Sequence, residues 1–231
     1  MKENHPGLVR ISDKVIAASN DVYHLEGVYS WKGGKAGLNV NYYNYRENRP
    51  ATTYNKITYF LFTPYVIAKI GPVALQAEFN YLTGDQKYEA PSTTADKDLQ
   101  SISGWIDATA DFGMFYAGGS IAYVSGDDNG TSKKNEGYSL TGGRDWTPCL
   151  IMFNYYDRAQ WIGNLSGYDA TTDNGQMSNA WFFQVRGGLR PVDKLDIMAS
   201  VAYAKADKPN TILDREYGFE VDLTGIYKIT N

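Results

Sequence analysis

Few residues of this chain have the types and spacing that catalysis requires. Nucleophilic catalysis needs a nucleophile with a base held beside it, and the chain has only two histidines, His5 and His24. His24 falls in an alternating run, which predicts a polar side chain on one face of a sheet. The single cysteine, Cys149, lies between Pro148 and Leu150, a setting typical of a small buried hydrophobe. We therefore predict that the chain is not an enzyme and binds no cofactor.

One short run has the composition of a metal site. Asp127, Asp128 and Asn129 bring oxygen ligands together at the start of a loop, and hard cations such as Ca²⁺ bind carboxylate and carbonyl oxygens. The run lacks the full ligand spacing of a calcium loop and its distal glutamate. A solvated turn is therefore the favoured interpretation. We predict no metal site and keep these three residues as weak candidates.

Charged residues recur at alternate positions, so they share one face of the strands that contain them. Arg186 and Arg190 have this spacing, which would let them contact a sugar or a carboxylate, or pair with Asp196 across a hairpin. The predicted inward-facing set is Glu26, Glu78, Asp107, Asp111, Arg186, Arg190, Asp196, Glu220, Asp222 and Lys228. Because the set leans acidic and charge rings govern pore selectivity, a pore lined by it would prefer cations mildly or pass a neutral saccharide.

The elements that must position these residues are strands that alternate apolar and polar residues. Three of the clearest lie between Ala180 and Ile229. A period of two gives a sheet with two unlike faces. Six earlier runs have the same pattern, which makes nine predicted strands; the six runs cover residues 21–31, 36–46, 57–70, 73–83, 105–112 and 115–125. Pro64 lacks an N–H, so we expect its strand to be an edge strand, to be bulged, or to have other boundaries.

The connections between these strands are of two kinds. Those at 32–35, 71–72, 113 and 191–194 are short, whereas the connections on the other side are longer. This asymmetry is typical of a membrane β-barrel. Residues 1–20 show no clear period and are assigned to a loop. The long segment 126–178 must add either no spanning strand or two spanning strands, since a single one would break the alternation of short and long connections. We favour a loop that folds over or into the lumen.

The composition agrees with such a barrel. Aromatic residues make up 14% of the chain, which has 19 Tyr, and many of them fall near predicted strand ends, as in the interfacial girdles of barrels. They are Tyr23, Tyr29, Trp31, Tyr42, Tyr81, Tyr123, Trp181, Tyr203 and Tyr227. No stretch approaches the ~20 apolar residues of a membrane-spanning helix. A net charge of -4 without Lys/Arg runs argues against a nucleic-acid partner.

Several strand-and-turn phrases resemble bacterial outer-membrane barrels of the alginate-export type. They are AWFFQVRGGLRPVDKLDIMASVAYAKADK at 180–208, EYGFEVDLTGIYKITN at 216–231, ALQAEFNYLTGD at 74–85 and YAGGSIAYVSGDDNGT at 116–131. The resemblance implies an outer-membrane channel of a Gram-negative bacterium for passive passage of a polar solute. It also implies a barrel larger than this chain can close. An alginate channel would present a basic lining to its polyanion, and the acidic lining predicted here departs from that.

The predicted fold class is all-β: one antiparallel, up-and-down transmembrane β-barrel domain over residues 1–231, incomplete, with about nine or ten strands. Residues 1–6 lack the apolar core of a signal peptide, and no return strand follows Ile229. We therefore interpret the chain as a fragment of a larger protein of the bacterial outer membrane.

The predicted function is that of a porin for small polar solutes or saccharides other than alginate. Its expected partners are that solute and the lipid bilayer of the outer membrane, with no nucleic acid; the sequence does not indicate an oligomeric state. The alternative is a soluble β-barrel that binds an apolar ligand in its interior. The two differ in which face is apolar, because the soluble barrel would turn inward the five residues Leu195, Ile197, Val201, Val221 and Leu223.

Overall fold

The computed structural model describes residues 7–11, 14–46, 56–88, 92–128, 133–138, 140, 146–154, 177–208 and 216–229. These residues form ten antiparallel up-and-down strands and one two-residue strand in a single sheet. The strands are β1 (Gly7–Ile11), β2 (Lys14–Trp31), β3 (Gly34–Arg46), β4 (Lys56–Ile70), β5 (Val73–Lys87), β6 (Lys97–Asp111), β7 (Phe115–Val124), β8 (Lys134–Asn135), β9 (Ala180–Val192), β10 (Leu195–Ala206) and β11 (Glu216–Tyr227). The described segments include no helix with the length and apolar character needed to cross a membrane.

All nine predicted strands are present, and the prediction of an all-β, antiparallel, up-and-down sheet is confirmed. Two boundaries differ most from the sequence pattern. β6 begins at Lys97 instead of Trp105, and the assignment of residues 1–20 to a loop is wrong where β1 and the start of β2 pair, from Gly7 with Ala18 to Ile11 with Lys14. Backbone hydrogen bonds make these segments part of the sheet. A search for alternating side chains cannot detect such bonds, so the sequence pattern missed them.

Each long strand pairs with its neighbours in the chain, except where residues 126–178 intervene. There β7 pairs directly with β9, from Phe115 with Leu189 to Val124 with Ala180. The described part of that segment therefore adds no spanning strand, in agreement with the parity argument. Its two-residue strand, β8, pairs parallel to β6. In the described sheet β1 and β11 are the outermost strands and do not pair with each other, so the sheet is not closed into a barrel.

Pro64 lies inside the sheet, contrary to all three expectations for its strand. β4 pairs with both β3 and β5, so it is not an edge strand. Its pairing with β5 has the same register on both sides of Pro64, with only Thr63 and Pro64 left out of the ladder. The Thr63 hydroxyl instead donates a 2.7 Å hydrogen bond to Asn80 Oδ1 on β5. A side-chain bond at this level thus joins the two strands where the ladder is interrupted.

The sheet has two unlike faces, because side chains alternate along each strand and paired residues point to the same side. Asp107 pairs with Ser120, and Ser120 pairs with Gln184. Ser200 pairs with Asp222 on the last two strands. We call the side of these five residues the polar face and the opposite side the apolar face. The alternation predicted from the sequence therefore extends across the whole sheet.

The buried core lies between the loop-side half of the polar face and a segment that crosses it. We call residues 146–154 the covering segment. Its Cys149 and Phe153 are 5% and 1% exposed, and they pack in one cluster with Phe182, Ala202 and Ala204 of the sheet. The Phe153 and Phe182 rings lie 6.0 Å apart. The described residues of the predicted long loop thus fold over the polar face.

Candidate functional site

Nine of the ten residues predicted to line a lumen lie on the polar face. Glu26 and Glu78 belong to the half of the sheet that includes β2 to β5, and Glu220 and Asp222 lie on β11 at the other side. The exception is Lys228, which follows the end of β11 and donates its backbone N–H to Lys194 at 2.9 Å. The structure does not expose the nine as one row of free charges, because most of them have partners on the same face.

A first cluster is centred on Arg186. Its guanidinium makes a two-pronged ion pair with Asp107, with both nitrogen–oxygen distances 2.7 Å, and donates to Thr109 Oγ1 at 2.5 Å. Ser120 donates its hydroxyl to the same carboxylate. Arg186 reaches β6 across Gly118 of β7, where an added Cβ would lie 3.2 Å from the guanidinium and 2.6 Å from the Ala108 carbonyl oxygen. A glycine is therefore needed at this crossing.

A second cluster is centred on Arg190, nearer the short turns. Arg190 bonds Asp111 at 2.8 Å and Asp196 at 3.1 Å. Its guanidinium lies 4.5 Å from the centre of the Tyr116 ring, and Tyr116 donates its hydroxyl to Asp196 at 2.7 Å. Judged by sequence, the two arginines could contact a solute or pair across the hairpin. Arg190 does pair with Asp196, whereas Arg186 pairs with β6, two strands away.

The carboxylates of β11 hold the covering segment. Glu220 accepts the backbone N–H of Ile151 at 2.7 Å and of Met152 at 2.6 Å, one on each oxygen. Asp222 accepts the N–H of Leu150 at 3.3 Å. On β9, Gln184 donates to the Pro148 carbonyl at 2.5 Å. These two acidic residues are therefore anchors for the covering segment, a role that sequence alone did not predict.

Cys149 has the environment of a structural cysteine. Its side chain is buried under the covering segment, and burial raises the pKa of the thiol, which the nearby carboxylates of Glu220 and Asp222 raise further. Cys149, Glu220 and Asp222 form a possible metal-binding group, because their ligand atoms lie within 4.8 Å of one another. It is the one such group of three or more His, Cys, Asp or Glu residues in the described part of the chain. Both oxygens of Glu220 already accept backbone N–H groups and the thiol resists ionisation, so the trio is poorly suited to bind a metal.

The weak metal candidates of the long loop are not part of any such group among the described residues. Asp127 accepts the backbone N–H of Glu136 at 2.9 Å, which makes it a turn-stabilising residue. Asp128 is described and has a polar or electrostatic interaction of its own. Asn129, the third candidate, lies outside the described residues. The Asp127 carboxylate thus supports the loop.

A cavity of about 110 Å³ opens beside the covering segment on the polar face. Two residues of its wall had predicted positions: Glu78 as a lumen-lining residue and Tyr123 as part of an aromatic girdle. The wall comes from five separate parts of the chain, and its residue types carry no local motif. The polar and aromatic lining is Glu78, Asn80, Ser103, Trp105, Tyr123 and Trp146, with Met177 beside them. Trp105, at an inward position of β6, was the sequence signal that could have indicated the cavity. Large aromatic residues elsewhere favour the apolar face, so an inward tryptophan stands out.

These features establish one class of protein: an all-β sheet with a structured polar face. That face carries the cavity, the two arginine clusters and the anchored covering segment. No protein-family model and no curated protein matches the chain. The site must therefore be interpreted from its own geometry.

Proposed function

We propose that this chain forms part of an outer-membrane β-barrel channel, through which small polar solutes or saccharides diffuse. The observation that carries the proposal is the exposure of large apolar side chains on one whole face of the sheet. Exposed apolar surface of this extent is typical of a protein or membrane contact. On the apolar face the exposed side chains include Leu25, Phe60, Phe79, Ile106, Ile121, Val185, Phe219, Val221 and Leu223.

Aromatic residues on the apolar face fall into two bands, which supports lipid as the contact. The loop-side band includes Tyr23 and Tyr42, whose ring centres are 6.2 Å apart, and Tyr123 and Trp181, 4.3 Å apart. Trp31 belongs to the turn-side band. From Tyr23 to Trp31 the chain rises about 27 Å along β2, or about 20 Å along a barrel axis for a tilted strand, close to the height of the apolar band of such barrels.

The same exposure weighs against the soluble alternative. A soluble barrel that binds an apolar ligand requires its apolar side chains to face a closed interior. Val221 and Leu223 are 74% and 73% exposed, and Val201 is 44% exposed. Leu195 and Ile197 are half-buried. The buried cluster around Phe153 lies on the opposite side of the sheet, under the covering segment, as a plugged or constricted lumen would require.

The ion pairs modify the expected selectivity. Arg186 and Arg190 neutralise three of the predicted acidic residues, and the covering segment occupies two more. Glu26 and Glu78 have only neutral partners among their described hydrogen bonds, Tyr65 and Asn80 respectively. A weak cation preference or passage of a neutral saccharide is therefore the expected behaviour. The phrases that resemble alginate-export barrels support the channel class, whereas these carboxylates do not favour alginate.

Reconstitution into lipid bilayers tests the proposal. We expect the purified protein to insert, to conduct ions with a weak cation preference in a salt gradient, and to let a neutral saccharide into vesicles. A protein that remains soluble without detergent and produces no conductance would contradict the channel function. A clear anion preference would contradict the acidic lumen while leaving the membrane location intact.

A further inference from the structure

We propose that the cavity between the covering segment and strands β5 to β7 binds one ring of a neutral saccharide. The inference rests on the proposed channel function, because it names the solute class. The cavity lies on the polar face, the side that would line the lumen. Its walls join Glu78 and Asn80 of β5, Ser103 and Trp105 of β6, and Trp146 of the covering segment.

The polar groups of the cavity include both donors and acceptors, as hydroxyl groups require. Asn80 donates one N–H to Glu78 at 2.9 Å, while its carbonyl oxygen accepts the Thr63 hydroxyl at 2.7 Å. This arrangement fixes the orientation of the amide, and the second N–H remains as a donor. The carboxylate of Glu78 is an acceptor, and Ser103 adds a hydroxyl that can both donate and accept. A sugar hydroxyl is likewise a donor and an acceptor.

The aromatic side chains supply the apolar part of such a site. Sugar rings have C–H faces that pack against indole rings, so a saccharide site combines aromatic walls with a few placed polar groups. Trp146 is held by an edge-to-face contact with Phe182, whose ring centre is 5.2 Å away. Trp105 comes from the sheet itself. The two indoles thus belong to separate elements that the anchors of the covering segment bring together.

The size of the cavity favours one ring. Its volume of about 110 Å³ is somewhat below the roughly 150 Å³ of an engineered cavity that takes up benzene. A hexopyranose has about twice as many heavy atoms as benzene, so the cavity holds only part of one ring, and the rest of the sugar extends through the opening. A phosphorylated or carboxylated sugar fits poorly, since the described lining has an acidic residue and no cation.

The test is a titration of the purified protein in detergent micelles with glucose, followed by tryptophan fluorescence. We expect saturable binding with a dissociation constant of about 1 to 10 mM, weak enough for release from a channel. Glu78→Gln keeps the side-chain shape and should weaken binding about tenfold, the effect of losing a hydrogen bond to a charged group. Ser103→Ala, which removes one hydroxyl, should weaken it by a smaller factor.

Glu26→Gln is the matched control, because it removes a carboxylate from the same face outside the cavity lining, and it should leave glucose binding unchanged. Absence of saturable binding, or equal binding in Glu78→Gln and the unchanged protein, would overturn the inference. Binding of tetramethylammonium in place of glucose would overturn it too, and would assign the cavity to organic cations. A protein that binds glucose without conducting ions would contradict the channel function and leave this site standing.

Discussion

At the scale of single residues, the polar face is a set of paired charges of unequal burial. The Arg186 and Asp107 side chains are 15% and 26% exposed, whereas those of Arg190 and Asp111 are 37% and 50% exposed. Solvent screens the second pair more strongly. Removal of one partner from the more buried pair leaves an uncompensated charge away from water, which is costly.

This difference predicts unequal effects of two matched substitutions. Asp107→Asn should lower the free energy of unfolding by about 2 kcal/mol, between the values for exposed and fully buried pairs. Asp111→Asn is the control and should cost clearly less, because solvent screens its ion pair more strongly. Urea titration in lipid vesicles, followed by tryptophan fluorescence, measures both. Equal losses in the two variants would show that burial does not set the strength of these pairs.

At the scale of elements, the backbone N–H groups of the covering segment are anchored by a single strand. The described hydrogen bonds from its backbone N–H groups at residues 150–152 go to the carboxylates of Glu220 and Asp222 on β11. Gln184 of β9 adds one side-chain bond to the segment. The buried cluster around Phe153 then fixes its position against the sheet. Loss of the anchors should therefore loosen the segment without removing a strand.

Accessibility of Cys149 reports this loosening. The thiol is 5% exposed, and its raised pKa keeps it protonated, so labelling by a thiol reagent should stay slow even near pH 8.5, where a free cysteine ionises. Glu220→Gln should speed labelling about tenfold, because it weakens two charge-assisted hydrogen bonds. Glu26→Gln, distant from the segment, should not change the rate. Equally slow labelling in Glu220→Gln would show that the two hydrogen bonds of Glu220 are not needed to hold the segment.

At the scale of the whole molecule, the apolar face is the feature to explain. It runs across every long strand from β2 to β11 and carries aromatic bands near both ends, while the polar face carries the ion pairs and the cavity. If water lay on both sides of the sheet, this apolar area would stay exposed to it, which is unfavourable in free energy. Lipid on one side and a solvated lumen on the other would match each face to its solvent.

A single arginine distinguishes lipid from water at the apolar face. Val185 is 66% exposed there, between the two aromatic bands, and Val185→Arg should cost about 2 to 4 kcal/mol of unfolding free energy in vesicles if the face meets lipid. If the face meets water, the cost should be within about 0.5 kcal/mol. Val28→Arg is the control, since Val28 is 51% exposed on the polar face. Equal, small effects at both sites would contradict a lipid-facing surface.

By itself, the sequence determined the strands and their two faces. Alternation with a period of two identified nine strands and placed nearly all of the charged set on one side, because a strand's geometry puts every second side chain on the same face. The short turns and the parity of the long segment followed from the same local pattern. β1 escaped detection, since its place in the sheet depends on backbone pairing with β2.

Only the tertiary structure decided which side chains meet. Arg186 and Asp107 are far apart in the chain and lie two strands apart in the sheet, and Glu220 bonds a segment that sequence assigned to a loop. Such contacts depend on strand register and on the path of the covering segment, which no local pattern encodes. The cavity has the same origin, because its walls come from five parts of the chain. The physical reason is that local periodicity determines the direction of a side chain, whereas long-range packing determines its partner.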